Sequence, residues 1–279
     1  MLTKISSLKT TFSGVDFSKY SSKTSEFVKE FSSRANKEGK FLNWVNLPQE
    51  QAKRLDDIYA LASKLKSQTG VEKLSVMGIG GSKHTVEHML GINGLNINSD
   101  KIYFYSDVDS ISFARFLEKL GNDVLSSNYL IASKSGSTFE TKDGFLRIQK
   151  MVEDAYIAQG QSVEEAKKST AKHFIAVTDK NAEKSELRRT SNENGWLGDL
   201  FIHDDVGGRF SAFDDHALFT LAFAGMSKED MKSMLMSAQE ISSLSLSEDL
   251  ELNDALKEGI FWADAKLNGI SASVHQDMG

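Results

Sequence analysis

Three short stretches combine glycines with hydroxyl or cationic side chains, which are the residue types that bind small anions. Residues 132–141 read A-S-K-S-G-S-T-F-E-T and directly follow the end of an apolar run, N-Y-L-I. Residues 78–82 read G-I-G-G-S, and residues 206–211 read V-G-G-R-F-S. Free backbone amides at a helix start attract anions, and neighbouring hydroxyls add further donors. If the fold brings these stretches together, they predict a site for one phosphate-sized group.

The serine-rich stretch carries most of this prediction. The hydroxyls of Ser133, Ser135 and Thr138 can each donate a hydrogen bond, and the amides of residues 135–138 can form a concave nest at the start of a helix. The alternative is an ordinary helix N-cap, which needs one hydroxyl. Five hydroxyl side chains around one glycine favour an anion site over a cap.

The first glycine stretch, G-I-G-G-S, allows a tight turn and a close approach of backbone to a ligand. Taken alone it is more typical of a turn than of a ligand site. A dinucleotide fingerprint would need a third glycine where the chain has Lys83, and the lysine and glycine order of a P-loop is missing. A nucleotide-binding domain is therefore not favoured.

The third stretch predicts a cation beside the anion site. Gly207 and Gly208 follow a predicted strand and let the backbone come close to a ligand, which places Arg209 beside the predicted anion site. An arginine in that position can bind a phosphate or stabilise an oxyanion that develops during a reaction. A surface ion pair with Asp204 or Asp205 is the alternative.

Histidines at two other places raise weaker possibilities. His84 and His88 lie four residues apart, as in a metalloprotease helix, but the glutamate between them is misplaced and no third ligand is evident. We predict no metal site. His216 follows two aspartates and could be catalytic, although a half-exposed histidine at a helix start is the favoured interpretation.

The elements that must position these residues follow a regular rhythm. Short apolar runs alternate with stretches of helical period, which predicts a doubly wound α/β domain with a five-stranded parallel sheet between two helical layers. In such sheets ligands bind outside the carboxyl ends of the strands. Residues 1–70 and 226–279 are predicted to be helical segments flanking this α/β domain at 71–225. The predicted strands lie within 73–80, 101–106, 128–133, 173–179 and 199–205.

Composition excludes several classes of function. The chain of 279 residues has no cysteine, which excludes disulfides and thiolate catalysis, and its net charge of −6 argues against a general nucleic-acid binder. The N-terminus lacks the apolar core of a signal peptide, and no run is long enough to span a membrane. We expect a cytoplasmic protein with neither nucleic-acid nor membrane partners.

In this order, the three stretches resemble the glucose-6-phosphate isomerase family, together with F-L-N-W-V-N-L-P at residues 41–48. The resemblance covers most of residues 40–225. It implies two sugar-isomerase (SIS) domains of flavodoxin-like fold in a cytoplasmic homodimer. It also implies that glucose 6-phosphate and fructose 6-phosphate are interconverted without a cofactor, in glycolysis and gluconeogenesis. The sequence departs from the family's pattern after V-G-G-R-F-S, where it has A-F-D-D-H-A and an apolar stretch is more usual.

The resemblance also implies roles for individual residues. Arg209 would steady the enediolate formed when a proton moves between C2 and C1, and Glu140 would orient the histidine that opens the sugar ring. The phosphate would be held by Ser133, Lys134, Ser135 and Thr138, and the sugar pocket would be lined by Gly80, Gly81, Ser82, Gly207 and Gly208.

The family's glutamate base, ring-opening histidine and late lysine are expected beyond residue 279, and His275 matches that histidine neither by position nor by context. We therefore expect a truncated piece, ending early in a second domain, that binds substrate weakly and turns it over negligibly. The alternative is a non-catalytic regulatory module that binds a phosphosugar, because SIS domains also serve that role.

Overall fold

The computed structural model describes residues 14–35, 37, 39–92, 97–198 and 200–269. Helices and strands alternate through the middle of the chain, as predicted, with helices alone before and after. The helices run Ser21–Ala35 (α1), Leu47–Ala52 (α2), Leu55–Thr69 (α3), Gly81–Leu90 (α4), Ser110–Lys119 (α5), Phe139–Ala158 (α6), Val163–Ala171 (α7), Glu186–Asn194 (α8), Asp215–Phe223 (α9), Lys228–Ser245 (α10) and Asp254–Leu267 (α11).

Five parallel strands form one sheet, which confirms the predicted fold class. The order along the sheet is β2-β1-β3-β4-β5, and Val76 is in register with Phe104 on one side and Leu130 on the other. This is the flavodoxin-like order. The strands are Leu74–Met77 (β1), Ile102–Tyr105 (β2), Asn128–Ala132 (β3), Phe174–Thr178 (β4) and Leu200–Phe201 (β5).

The two faces of the sheet are buried under different helices. Because side chains alternate along a strand, Leu130 faces α3, α4 and α9, while its neighbour Tyr129 faces α5 and α6. The first face is mostly aliphatic and the second is rich in aromatic rings. The central strands β1, β3 and β4 are therefore buried on both sides and read as nearly continuous apolar runs.

The helices before β1 and after β5 pack against the α/β domain and against one another. α3 packs against α9, and α10 packs against α2 and α3. The division at residues 70 and 225 stays a prediction. Among the residues that the structure describes, no helix has the length and apolar character needed to cross a membrane.

Candidate functional site

The strand order predicts the place of a ligand crevice, at the carboxyl end of the sheet. The chain leaves β1 toward β2 on one side, and β3 then pairs on the other side of β1. The direction of winding therefore reverses between β1 and β3, and ligands bind in the crevice outside the carboxyl ends at such a switch point. The first glycine loop (residues 78–82) follows β1, and the serine loop (residues 133–138) follows β3, so these two predicted loops flank the crevice.

Hydrogen bonds inside the serine loop fix its shape. The buried Ser133 hydroxyl donates to Thr138 Oγ1 at 3.2 Å and accepts from the Gly136 amide at 3.1 Å. The exposed hydroxyls of Ser135 and Ser137 lie 2.7 Å apart, and the Ser137 amide donates to Ser135 Oγ at 3.2 Å. Ser133 thus shapes the loop from below, while Ser135 and Ser137 face solvent.

The cap alternative for this loop lacks its defining bond. Thr138 occupies the N-cap position of α6, but its side chain makes no capping hydrogen bond and instead accepts from Ser133. A capping hydroxyl would satisfy one of the free amides in the first turn. The start of a 20-residue helix therefore faces the crevice side without a side-chain cap.

The serine loop is also held from behind by the start of α8. Gly136 has φ +74°, and a Cβ there would lie 2.2 Å from the amide nitrogen of Leu187. Only glycine fits this position. The Glu186 amide donates to the Ser135 carbonyl at 2.9 Å, and Thr178 Oγ1 donates to the Lys134 carbonyl at 2.9 Å, so the loop is also held by the elements behind it.

The third loop (residues 206–211) lies directly on the first glycine loop. A Cβ on Gly81 would lie 1.8 Å from the carbonyl oxygen of Gly208, so the two backbones touch and only glycine is tolerated at 81. Gly78 is similarly close to β3, since its Cβ would lie 2.8 Å from the Ala132 carbonyl oxygen. All three predicted loops are thus connected at one edge of the sheet.

Arg209 stands in a 3₁₀ turn, Gly208–Phe210, and is exposed. Within the described ranges it makes no ion pair, because both candidate aspartates are engaged elsewhere. Asp204 Oδ1 lies 3.7 Å from Lys134 Nζ, and Asp205 Oδ1 accepts from the Gly39 amide. Lys134 therefore links the serine loop to the segment before the third loop, and the guanidinium of Arg209 is left available for a ligand.

The segment at residues 41–48 supports the third loop. Leu42 bridges to Val206, the Asn43 amide donates to the Asp205 carbonyl at 3.1 Å, and Trp44 stacks on Phe210 with ring centroids 5.4 Å apart. Phe41, at the start of this segment, is 55% exposed.

A buried polar cluster lies behind the third loop, in A-F-D-D-H-A. Asp215 is fully buried, and its Oδ1 accepts from Gln51 Nε2 at 2.7 Å and pairs with Arg54. Its Oδ2 accepts from the Phe201 amide at 2.6 Å. This cluster was not predicted from the sequence, although consecutive charged residues at the start of an otherwise apolar helix were a usable signal.

His216 belongs to the same cluster, and the expectation of a half-exposed side chain is wrong. Its side chain is 1% exposed, because α9 is buried from its first residue between the sheet and its neighbouring helices. Burial lowers the pKa of His216, and this effect exceeds the opposing influence of Asp214, Asp215 and the Gly81 backbone. His216 is therefore neutral at ordinary pH.

His203 pairs with Asp214 at the end of β5. Its Nδ1 lies 2.6 Å from Asp214 Oδ1, and its amide donates to Oδ2 at 3.1 Å. Burial acts to lower the pKa of His203, but the Asp214 hydrogen bond and the charges of Asp214 and Asp215 together outweigh it and raise the pKa. The possible ligand atoms of His203, Asp214 and Asp215 lie close enough together to bind one metal ion. The two carboxylates, however, already accept hydrogen bonds from the donors named above.

The other candidate residues lie apart from these contacts. Glu140 is in the first turn of α6 and makes no hydrogen bond or ion pair within the part of the chain that the structure describes. His84 is exposed, with Nδ1 3.2 Å from Glu87 Oε2, and His88 is also exposed. His275 lies outside the described residues.

The three-loop crevice on this fold agrees with a comparison against known families, in which the model described as phosphoglucose isomerase matches residues 45–261. The chain belongs to the phosphoglucose isomerase family. It is 32% identical over 228 residues to the glucose-6-phosphate isomerase of Acetivibrio thermocellus, covering 78% of this chain and 47% of that protein. It is 31% identical over 232 residues to that of Clostridioides difficile, covering 79% and 47%.

Solved structures of two similar proteins share the fold of this phosphoglucose isomerase family member. The hypothetical protein TT0462 from Thermus thermophilus gives a TM-score of 0.70 at 25% identity, over 88% of this chain and 54% of that chain. A glucose-6-phosphate isomerase from Chlamydia trachomatis gives 0.64 at 22% identity, over 87% and 48%. The chain spans about half the length of the relatives that it matches.

Proposed function

We propose that this chain forms part of a glucose-6-phosphate isomerase and binds a hexose 6-phosphate in the crevice between the serine loop and the third loop. The observation that carries the proposal is the backbone contact between Gly81 and Gly208, which brings the loop of Arg209 to the edge where the serine loop lies. Membership of the phosphoglucose isomerase family and the names of the relatives support the choice of this sugar.

In the proposed complex, the phosphoryl group binds at the start of α6. The hydroxyls of Ser135 and Thr138 donate to its oxygens, and the uncapped amides of the first turn add donors aligned with the helix dipole. Lys134 contributes positive charge, and Ser133 holds the loop in shape. Gly80, Gly81, Ser82, Gly207 and Gly208 line the sugar pocket without side chains that would fill it.

Arg209 acts on the reacting end of the sugar. When a proton moves between C2 and C1, negative charge develops on a carbonyl oxygen, and a guanidinium that is already in place stabilises that enediolate. Glu140 orients the group that opens the ring. No cofactor is needed for this chemistry, and we assign the base to none of the described residues. The proposal includes a cytoplasmic homodimer for the complete protein.

The first test is an assay of the protein encoded by the complete reading frame that contains this chain. With fructose 6-phosphate as substrate, we expect glucose 6-phosphate to form, measured by a coupled dehydrogenase assay. No product with ample enzyme contradicts the isomerase. Tight binding of fructose 6-phosphate without turnover by the complete protein would instead support a regulatory module.

The second test separates binding from catalysis. Ser135→Ala removes a donor to a charged group, worth about 1.5–3 kcal/mol, so affinity for fructose 6-phosphate should fall at least tenfold. Arg209→Ala should lower kcat by about two to three orders of magnitude with a smaller change in affinity. Ser67→Ala and Arg115→Ala, both exposed and in helices away from the crevice, are the matched controls.

A further inference from the structure

His216 lies behind the crevice and contacts the start of α4, which follows one of the crevice loops. It is the second residue of α9, which packs against α4. Its Nε2 lies 3.4 Å from Thr85 Oγ1, and Thr85 stands one turn into α4, four residues after Gly81. The side chain of His216 is thus buried, and Thr85 connects it to the helix that begins in the first glycine loop.

The hydrogen-bond direction at Thr85 identifies the tautomer of His216. Thr85 Oγ1 donates its single hydrogen to the Gly81 carbonyl, so it faces His216 as an acceptor. His216 must therefore carry its hydrogen on Nε2 and donate to Thr85. The other nitrogen, Nδ1, is buried and has no hydrogen-bond partner within the described part of the chain. The hydrogen bond of the His216 ring is therefore directed toward Thr85 and the neighbouring Gly81 peptide.

The Gly81 peptide is in turn fixed against the peptide of Gly208. Their backbones touch, and the Gly208 carbonyl accepts from the Ser211 hydroxyl at 2.6 Å. Each of the two touching peptides is therefore held by one hydroxyl, Thr85 on one side and Ser211 on the other. Arg209 follows Gly208 directly, so a shift of the Gly81 peptide moves the residue that carries the guanidinium.

A second buried histidine shows that this arrangement differs from simple filling of the core. His173 lies under the opposite face of the sheet, with Nδ1 2.9 Å from the Ser127 carbonyl oxygen and Nε2 2.7 Å from Tyr156 Oη. Both of its nitrogens are partnered within the core. His216 leaves one nitrogen without a partner among the described residues, and its other nitrogen contacts Thr85, close to a loop of the crevice.

We propose that His216 is a positioning residue, which acts through Thr85 to hold the Gly81 peptide against Gly208 and thereby sets the place of Arg209. The role in sugar binding rests on the proposed function above. The geometry of the first glycine loop and the third loop does not rest on the proposed function, and it can be measured without any sugar.

The sugar-free measurement follows the backbone amides of Gly80, Gly81, Gly208 and Arg209 by ¹H–¹⁵N NMR of the 279-residue chain. His216→Leu introduces an apolar side chain of similar size and removes the Nε2–H donor. Thr85→Val removes the hydroxyl with almost no change of shape. Both should shift these four amides. His216→Gln, which retains an N–H near the same position, and Thr85→Ser, which retains the hydroxyl, should leave them close to their original positions.

The second measurement is the affinity of the same variants for fructose 6-phosphate. His216→Leu and Thr85→Val should bind roughly tenfold more weakly, because a small displacement of a positioned group is costly, while the Gln and Ser variants should bind within about twofold of the original chain. If the His216→Leu variant does not fold, the two Thr85 variants alone decide, since Val and Thr have nearly the same volume.

Two controls make the outcomes decisive. His173→Leu removes an equally buried histidine far from the crevice, and His88→Leu makes the same change at an exposed position of α4. Neither should move the four amides. The inference is overturned if His216→Leu and Thr85→Val leave these amides in place, or if His173→Leu moves them equally. Amides that shift in a chain that binds no sugar would contradict the phosphosugar proposal and leave the positioning role intact.

Discussion

The two faces of the sheet are buried by different means. Under α5 and α6 the core is aromatic: the Phe174 ring centroid lies 5.0 Å from those of both Tyr129 and Trp196. Under α3 and α9 the core is mostly aliphatic, but at the end near the third loop it contains the buried Asp215 and His216. The buried carboxylate lies on the face that supports Arg209, which indicates that this face holds a particular loop geometry in addition to contributing stability.

The largest expected effect is on the aromatic face. Phe174→Ala leaves a cavity between two rings and should lower the free energy of unfolding by about 4 kcal/mol, measured by urea denaturation. Val163→Ala, at an exposed position, should change it by less than about 0.5 kcal/mol. A small effect of Phe174→Ala would show that the aromatic rings are not the main support of this face.

The polar face should be nearly as sensitive to the loss of one charge. Asp215→Ala removes the partner of Arg54 and of the Phe201 amide, so it leaves a part-buried cation and a donor unsatisfied and should cost about 3 kcal/mol. Glu164→Ala, which breaks an exposed pair with Lys168, should cost less than about 0.5 kcal/mol. Equal costs for the two changes would contradict a structural role for the buried cluster.

The loops above the polar face should respond to a single methyl group. Gly81→Ala places a Cβ against the Gly208 carbonyl, so one backbone must move, at a cost of about 1–3 kcal/mol in stability together with weaker binding of fructose 6-phosphate. Gly91→Ala, at the other end of α4, meets no atom closer than 3.4 Å and should change neither quantity appreciably. If both variants bind equally well, the contact is not needed for the site.

The smallest effects should appear in the pH dependence of stability, with opposite signs for His203 and His173. The raised pKa of His203 means that its contribution is present below about pH 6.5 and is lost as pH rises through the raised value. Burial lowers the pKa of His173, so its contribution is present above about pH 6.5 and is lost as pH falls. His203→Asn should remove the alkaline loss, and His173→Asn should reduce the acid loss, in urea midpoints measured between about pH 5 and 8.

Much of the fold could be predicted from the sequence, because the strands have a simple signature. Buried parallel strands are short apolar runs bounded by glycines and polar residues, and β1, β3 and β4 have that form. The position of the crevice loops could be predicted as well, because the carboxyl ends of parallel strands meet at one end of the sheet.

The buried cluster could not be predicted in the same way. Charged residues usually lie at the surface, so local sequence gave His216 a half-exposed position at a helix start. Its burial depends on partners far away in the chain, such as Gln51 and Arg54 for the neighbouring Asp215. The missing cap at Thr138 is similar, because only the folded loop reveals that Ser133 occupies its hydroxyl.

The contact between Gly81 and Gly208 also has a consequence for synthesis on the ribosome. A nascent chain that has emerged through β3 and the start of α6 holds the first glycine loop and the serine loop, but the peptide that closes over Gly81 is not yet made. We expect early intermediates to bind anions poorly and to gain a firm pocket only after β5 and Arg209 leave the exit tunnel. Pausing of translation between these points would therefore expose an open crevice to chaperones.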